Sequence, residues 1–170
     1  KTPGAAIQPT RYGIFFEDIN YGADGGLYAE MIKNRSFEFP QSLLGWTTFG
    51  NVEVRTDGAP FENNPHYVRL SYAGHDEKHT GMDNEGFFGV SVKQDADYRF
   101  SVWARIPQNT TSESFRVELV DEYSNVFAAE KITVDSKDWK KYQVIIKSKR
   151  QEAKARLRIF LTSKKSIDME

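Results

Sequence analysis

The 170-residue chain contains no cysteine. That excludes a disulfide framework, thiol catalysis and cysteine-ligated zinc, and it leaves the compartment open, because many exported bacterial proteins also lack cysteine. An excess of either charge is missing too. The 23 Lys and Arg residues face 24 Asp and Glu, a formal net charge of -1, so no field draws in nucleic acid or an anionic membrane, and neutral partners fit best. No run approaches the ~18 apolar residues of a membrane span. The opening "KTPGAAIQPT" has no apolar stretch of the signal-peptide kind, so a soluble piece is expected, with any leader already removed. Internal repeats, low-complexity tracts and charge blocks are absent.

What is present is one domain's worth of chain, long enough for a sizeable core and too short for two full domains. Aromatic residues make up 14% of it, which favours strands and ring-rich cores and also suits sugar stacking. A composition shift falls near Pro40. Before it, a short apolar run at Gly13–Phe16 leads into Glu17, Asp18 and Asn20, then a Gly-rich turn. In "GLYAEMIKNR", Leu27, Met31 and Ile32 have helical spacing and predict a turn or two of helix.

After Pro40, short alternating segments are separated by turn residues. Expected strands are Asn51–Arg55, Tyr67–Tyr72, Phe87–Lys93, Tyr98–Ile106, Phe115–Asp121, Ala128–Val134, Lys141–Ser148 and Ala155–Thr162. Strands so spaced, without an amphipathic helix among them, predict an all-β antiparallel sandwich or jelly roll. Strand alternation puts Tyr98, Phe100, Val102 and Ala104 in the core, together with Phe115, Val117, Leu119, Ala155, Leu157, Ile159 and Leu161. The opposite residues, Arg99, Trp103, Arg105, Arg116, Glu118, Arg156, Arg158 and Phe160, read as the polar second face of one sheet. That face is either solvated or covers something.

The chemistry-bearing candidates are few. Glu17 and Asp18 are adjacent, so on a strand they point to opposite faces and cannot be the facing carboxylate pair, ~5–5.5 Å or ~6.5–9.5 Å apart, that glycoside cleavage needs. Either they cap a turn, or one of them positions a ligand at the end of a buried strand. "HDEKH", His75 to His79, has Asp76 where the zinc-protease motif has Glu, and reads as a loop. Asn34-Arg35-Ser36 and Asn109-Thr110-Thr111 match the glycosylation sequon. Trp46 and Trp139 read as packing at the edge of the core. Trp103, beside Arg105 on the polar face, is either a sugar platform or a ring lying beneath a loop or another domain.

"NRSFEFPQSLLGWTTFG", Asn34 to Gly50, followed by "ADYRFSVWAR" and "DWKKYQVIIKS", is similar to carbohydrate-binding modules of families 4, 9 and 22. The longer run "GAAIQPTRYGIFFEDINYGADGGLYAEMIKNRSFEFP", with "DNEGFFGVSV", resembles the beginning of bacterial α-L-arabinofuranosidases of glycoside hydrolase family 51. The resemblance implies that residues 1–34 belong to a catalytic (β/α)8 barrel as its first strand and following turn, and that residues 35–170 are an inserted jelly-roll sandwich of the galactose-binding-like kind.

It further implies that Glu17, with Asn20 and Asn34 as weaker neighbours, contacts arabinose in the active site. The acid/base and nucleophile of a retaining, two-glutamate mechanism would lie on later strands, so this chain alone is expected to be inactive. Trp103 and Arg105 are the candidate sugar-binding face of the module. A structural calcium held by Glu38 with Asp168 or Glu170 is implied by the same resemblance, the alternative being ordinary surface acids; catalysis itself needs no cofactor. The partners implied are an arabinose-containing polysaccharide and the remainder of the barrel, with no nucleic acid and no membrane, and the location is periplasmic or extracellular. A pure binding module and a structural buttress are the competing readings.

Overall fold

The computed structural model describes residues 30–72, 74, 80–108 and 110–170. Glu17, Asn20, the run at 13–16, Leu27, "HDEKH" and Asn109 lie outside the described residues. Among the described residues eleven strands form: β1 (Trp46–Phe49), β2 (Asn51–Arg55), β3 (Tyr67–Ser71), β4 (Gly81–Asn84), β5 (Val90–Val92), β6 (Asp97–Arg105), β7 (Glu113–Val120), β8 (Val126–Val134), β9 (Lys140–Lys147), β10 (Glu152–Leu161) and β11 (Ile167–Met169). They build two antiparallel sheets. One runs β1-β4-β10-β7-β8, with β5 also paired to β10, and the other runs β2-β3-β11-β6-β9.

The alternation in β6, β7 and β10 turns one side of each strand into the space between the sheets. Val102, Ala104, Phe115, Val117, Leu119, Ala155, Leu157, Ile159 and Leu161 are all buried there, with Tyr98 and Phe100 partly buried against them. Val68, Leu70, Ile167 and Met169 complete the core from β3 and β11. Each fully buried large side chain contributes ~1.5–3 kcal/mol to the sandwich.

Three expectations are corrected. Because β6 lies in the five-stranded sheet and β7 and β10 in the six-stranded one, the polar residues assigned to one sheet divide between two opposite outer faces. Of the stretch expected to be helical, "GLYAEMIKNR", the described residues 30–35 form no helix but a turn, Met31 and Ile32 packing on the core. Those contacts also carry the sandwich upstream of residue 35. Phe87–Lys93 is a strand only at Val90–Val92; residues 85–89 make a turn closed by the Gly89 N–H donating to the Glu85 carbonyl at 3.0 Å.

Candidate functional site

On β6, the side chains opposite the core emerge on the outer face of the five-stranded sheet, and this places Trp103 and Arg105 side by side there. The segment between β2 and β3 folds over them. Its Phe61 meets Trp103 edge-on, centroids 5.3 Å apart at 90°. Trp139, just ahead of β9, donates from Nε1 to the Gly58 carbonyl at 2.7 Å and packs edge-on against Tyr67 at 5.2 Å. Trp139 therefore sits on this outer face rather than at the core edge.

Arg105 is held on every side. Its guanidinium carbon lies 4.6 Å from the Trp139 ring centroid, a cation–π distance. Its Nε donates to Asp168 Oδ2 at 3.0 Å and its Nη2 to the Tyr67 hydroxyl at 3.3 Å. Asp168, on β11 between β3 and β6, is completely buried. Arg69 of β3 completes its neutralisation, Nε donating to Oδ1 at 2.6 Å and Nη2 to Oδ2 at 2.9 Å. The side of this cluster borders an open depression of about 480 Å³ lined by Arg69, Arg105, Ile106, Pro107, Gln108 and Lys137.

The opposite outer face, on the six-stranded sheet, carries a second set of paired charges. Arg158 donates through Nε and Nη2 to the two carboxylate oxygens of Asp83 at 2.8 and 2.9 Å, and Arg116 pairs with Glu118 at 3.1 Å. These buried acids are neutralised where they stand, as burial demands. Asp168 and Asp83 are committed to guanidinium groups and are poor candidates for proton transfer.

The residues named as ligand or metal candidates separate. Asn34 is buried, with φ at 52°. Its Nδ2 donates to the carbonyls of Ser42 and Leu44 at 2.9 and 3.1 Å, its Oδ1 accepts from the Phe39 N–H at 3.2 Å, and its own carbonyl accepts from Trp46 Nε1 at 3.0 Å. The side chain is the clasp of the loop over residues 34–46. All its polar atoms are engaged within that loop. Phe37, buried in the same loop at φ 60°, adopts a left-handed conformation that a bulky residue holds only under tertiary constraint.

Glu38 accepts from the His66 N–H at 2.8 Å and contacts His66 Nδ1 at 2.6 Å. Burial raises the Glu170 carboxyl above the ordinary range; Arg35 opposes that and Glu38 adds to it. With both its oxygens held by arginines, Asp168 does not fit calcium, which seeks several free oxygens. Among the described residues no group of three His, Asp or Glu could hold a metal ion. Of the calcium expected at Glu38 with Asp168 or Glu170, the Asp168 alternative is thus taken up by ion pairs.

The turn at 121–125 has its own electrostatic anchor. Asp121 Oδ1 accepts from the backbone N–H groups of Tyr123 and Asn125 at 3.0 and 2.8 Å, and Oδ2 accepts from Arg150 at 3.0 Å. Burial pushes this carboxyl up, but Arg150, Asn125 and the backbone donors outweigh it and bring the pKa down to about 2. A group whose folded pKa is depressed stabilises the fold above its unfolded pKa, here 3.8, and loses that contribution as pH falls towards 2. Urea denaturation of Asp121→Asn against the parent is expected to show a stability gap at pH 6 that closes between about pH 4 and 2. A gap unchanged at the acid end would contradict it.

Tyr67, Phe61 and the Arg69–Asp168 pair were not legible as site residues. Their only sequence signal is the alternation in "HYVRLS", which puts Tyr67 and Arg69 on one side.

The comparisons with known proteins agree with this architecture. The chain is 37% identical to an extracellular exo-α-L-arabinofuranosidase of Streptomyces chartreusis over 98% of its length, which is 20% of that enzyme. Its fold matches an arabinose-bound GH51 α-L-arabinofuranosidase with a TM-score of 0.80 at 24% identity, over 93% of this chain and 28% of that one. It also matches a solved CBM4 module with a TM-score of 0.55 at 13% identity, over 81% and 94% of the two chains. The chain thus spans about a fifth to a quarter of the curated arabinofuranosidases it matches. The profile of the carbohydrate binding domain of types 4 and 9 covers residues 29–166, so that on fold and sequence together the chain belongs to this carbohydrate binding domain family.

Proposed function

We propose that this chain is part of an exported α-L-arabinofuranosidase that removes terminal α-L-arabinofuranosyl groups from arabinan, arabinoxylan and related polysaccharides. The reaction would proceed with retention of configuration, through two glutamates outside these 170 residues. Glu17, with Asn20 beside it, would orient the arabinose without transferring a proton. One observation carries this reading: identity with the Streptomyces enzyme extends over 98% of the chain, whereas the carbohydrate-binding profile begins only at residue 29. The run containing Glu17 thus shares its likeness with the enzyme rather than with the module. Support also comes from the ends of the sandwich. Glu30 and Ile32 share one cavity of about 190 Å³ with Met169 and Glu170, the adjacency that a module inserted into another domain requires.

The test is hydrolysis of an aryl α-L-arabinofuranoside by the full-length gene product, with the anomer first released read by NMR. Turnover giving the α-anomer first is expected; no turnover, or the β-anomer first, overturns the reading.

The contacts of Trp103 with Phe61 and of Arg105 with Asp168 and Trp139 favour a further assignment: this face braces the sandwich and its neighbouring domain. Trp103→Ala is then expected to lower unfolding free energy by about 2 kcal/mol, since a half-buried ring is lost, while leaving arabinan and arabinoxylan oligosaccharide binding unchanged. Lost binding with unchanged stability would instead make Trp103 a sugar platform.

A further inference from the structure

The turn between β4 and β5 carries two phenylalanines, Phe87 and Phe88, and Phe88 is 98% exposed. One exposed apolar ring is ordinary on a protein surface; what distinguishes Phe88 is the frame beneath it and the groove beside it. The turn beneath it is fastened at both ends. Asn84, fully buried at the end of β4, accepts through Oδ1 from the N–H groups of Gly86 and Lys33 at 2.9 and 3.1 Å, and donates through Nδ2 to the Lys33 carbonyl at 2.8 Å. Gly89, at φ 96°, lies so close to β10 that a Cβ there would come within 2.7 Å of the Lys154 Cα. Phe88 is thus presented by a frame that is already ordered.

Beside this turn opens a groove of about 560 Å³, lined by Lys33, Glu85, Phe87, Phe88, Glu122, Lys154 and Arg156 among others. Glu122 comes from the turn at 121–125, whose next residue, Tyr123, is 77% exposed. That turn is fixed by the Asp121 carboxylate and by Arg156, whose Nη2 donates to Ser124 Oγ at 2.8 Å. Two exposed rings therefore stand on two anchored turns at the same end of the sandwich. The charged groups in the groove, three basic and two acidic, nearly cancel, so it suits a neutral chain rich in hydroxyls better than a polyanion. Apolar rings with convergent hydrogen-bonding groups are the chemistry that binds sugars.

We propose that this groove is a binding site for a neutral oligosaccharide, a stretch of arabinose-bearing polysaccharide, with Phe88 and Tyr123 stacking on sugar rings and Glu85, Glu122 and Arg156 meeting their hydroxyls. The site lies away from Trp103 and Arg105, and its ligand class rests on the arabinofuranosidase reading.

The test is isothermal titration of the 170-residue chain with arabinan and arabinoxylan oligosaccharides. Binding is expected for the parent, with Phe88→Ala and Tyr123→Ala each weakening it by about tenfold or more at unchanged thermal stability, because both rings are solvent-exposed. Absence of binding by the parent, or binding that survives both substitutions, overturns the site. A Phe88→Ala change that spares binding but lowers the activity of the longer enzyme also overturns it, and assigns the ring to contact with the rest of the protein. Aryl-arabinofuranoside turnover by the full-length enzyme reports on the reading beneath, so failure of that reading and failure of the groove are distinguishable.

Discussion

Replacing Asp168 by alanine is expected to lower the unfolding free energy of the sandwich by about 3 kcal/mol. The carboxylate is completely buried and holds two guanidinium groups, Arg69 and Arg105, whose side chains are only about a fifth exposed. Without it, two cations that face each other across β11 lose their shared counter-charge. Arg105 then keeps only its contacts to Trp139 and Tyr67. The lower end of the range of 3–5 kcal/mol for a broken buried pair is appropriate, because both arginines retain some access to water. For a domain of this length the loss corresponds to a melting temperature lower by about 6–12 °C. Urea denaturation with an unchanged m-value is the measurement. A loss below about 1 kcal/mol would mean that water replaces the carboxylate without difficulty. Replacing Asp168, Arg69 and Arg105 together by apolar residues should cost less than Asp168→Ala alone, since no charge is then left unpaired.

The second large effect concerns Glu17. If the full-length protein is the proposed arabinofuranosidase, Glu17→Ala is expected to reduce its kcat/KM for an aryl arabinofuranoside by about 10- to 100-fold, the size of a hydrogen bond to a charged group withdrawn from a substrate hydroxyl. On the proposed positioning role, KM should rise, and the pH profile of kcat should keep the two limbs set by the catalytic acid and base. Glu17→Gln should recover part of the loss, as the amide still offers an acceptor. Unchanged KM and turnover in Glu17→Ala would sink this role. A lost pH limb would make Glu17 a proton-transfer group instead.

Much of the sandwich was legible because its long strands alternate cleanly. β6, β7, β8, β9 and β10 fall within two or three residues of their expected limits, and their inward faces are the core. Three strands escaped for distinct reasons. β4, "GMDN", is made of residues with low strand propensity, yet all four are buried between β1 and β10. β11 has only three residues, too few for periodicity, and its central Asp168 reads as a calcium ligand or a surface acid until Arg69 and Arg105 are seen on either side. β1 follows a loop whose geometry depends on the Asn34 clasp, a contact no local pattern contains.

The candidate sites were less legible still. Trp103 and Arg105 were correctly placed together on an outer face, because the period of two decides that. What fills their surroundings, Phe61 and Trp139, arrives from loops far along the chain. Phe88 was read as strand, although the glycines bracketing "GFFG" were the available signal of a turn.

The position of β11 has a consequence for how the molecule is made. The last three strand residues enter the middle of the five-stranded sheet, with Asp168 bonding Arg69 across a separation of 99 residues. During synthesis β3 and β6 must therefore wait, with their facing edges open, until the ribosome has delivered nearly the whole of this stretch. Such long-range closure makes for slow folding and a period of exposure to aggregation. A nascent chain halted shortly before Ile167 would hold two half-sheets, each with an unpaired edge where the other belongs.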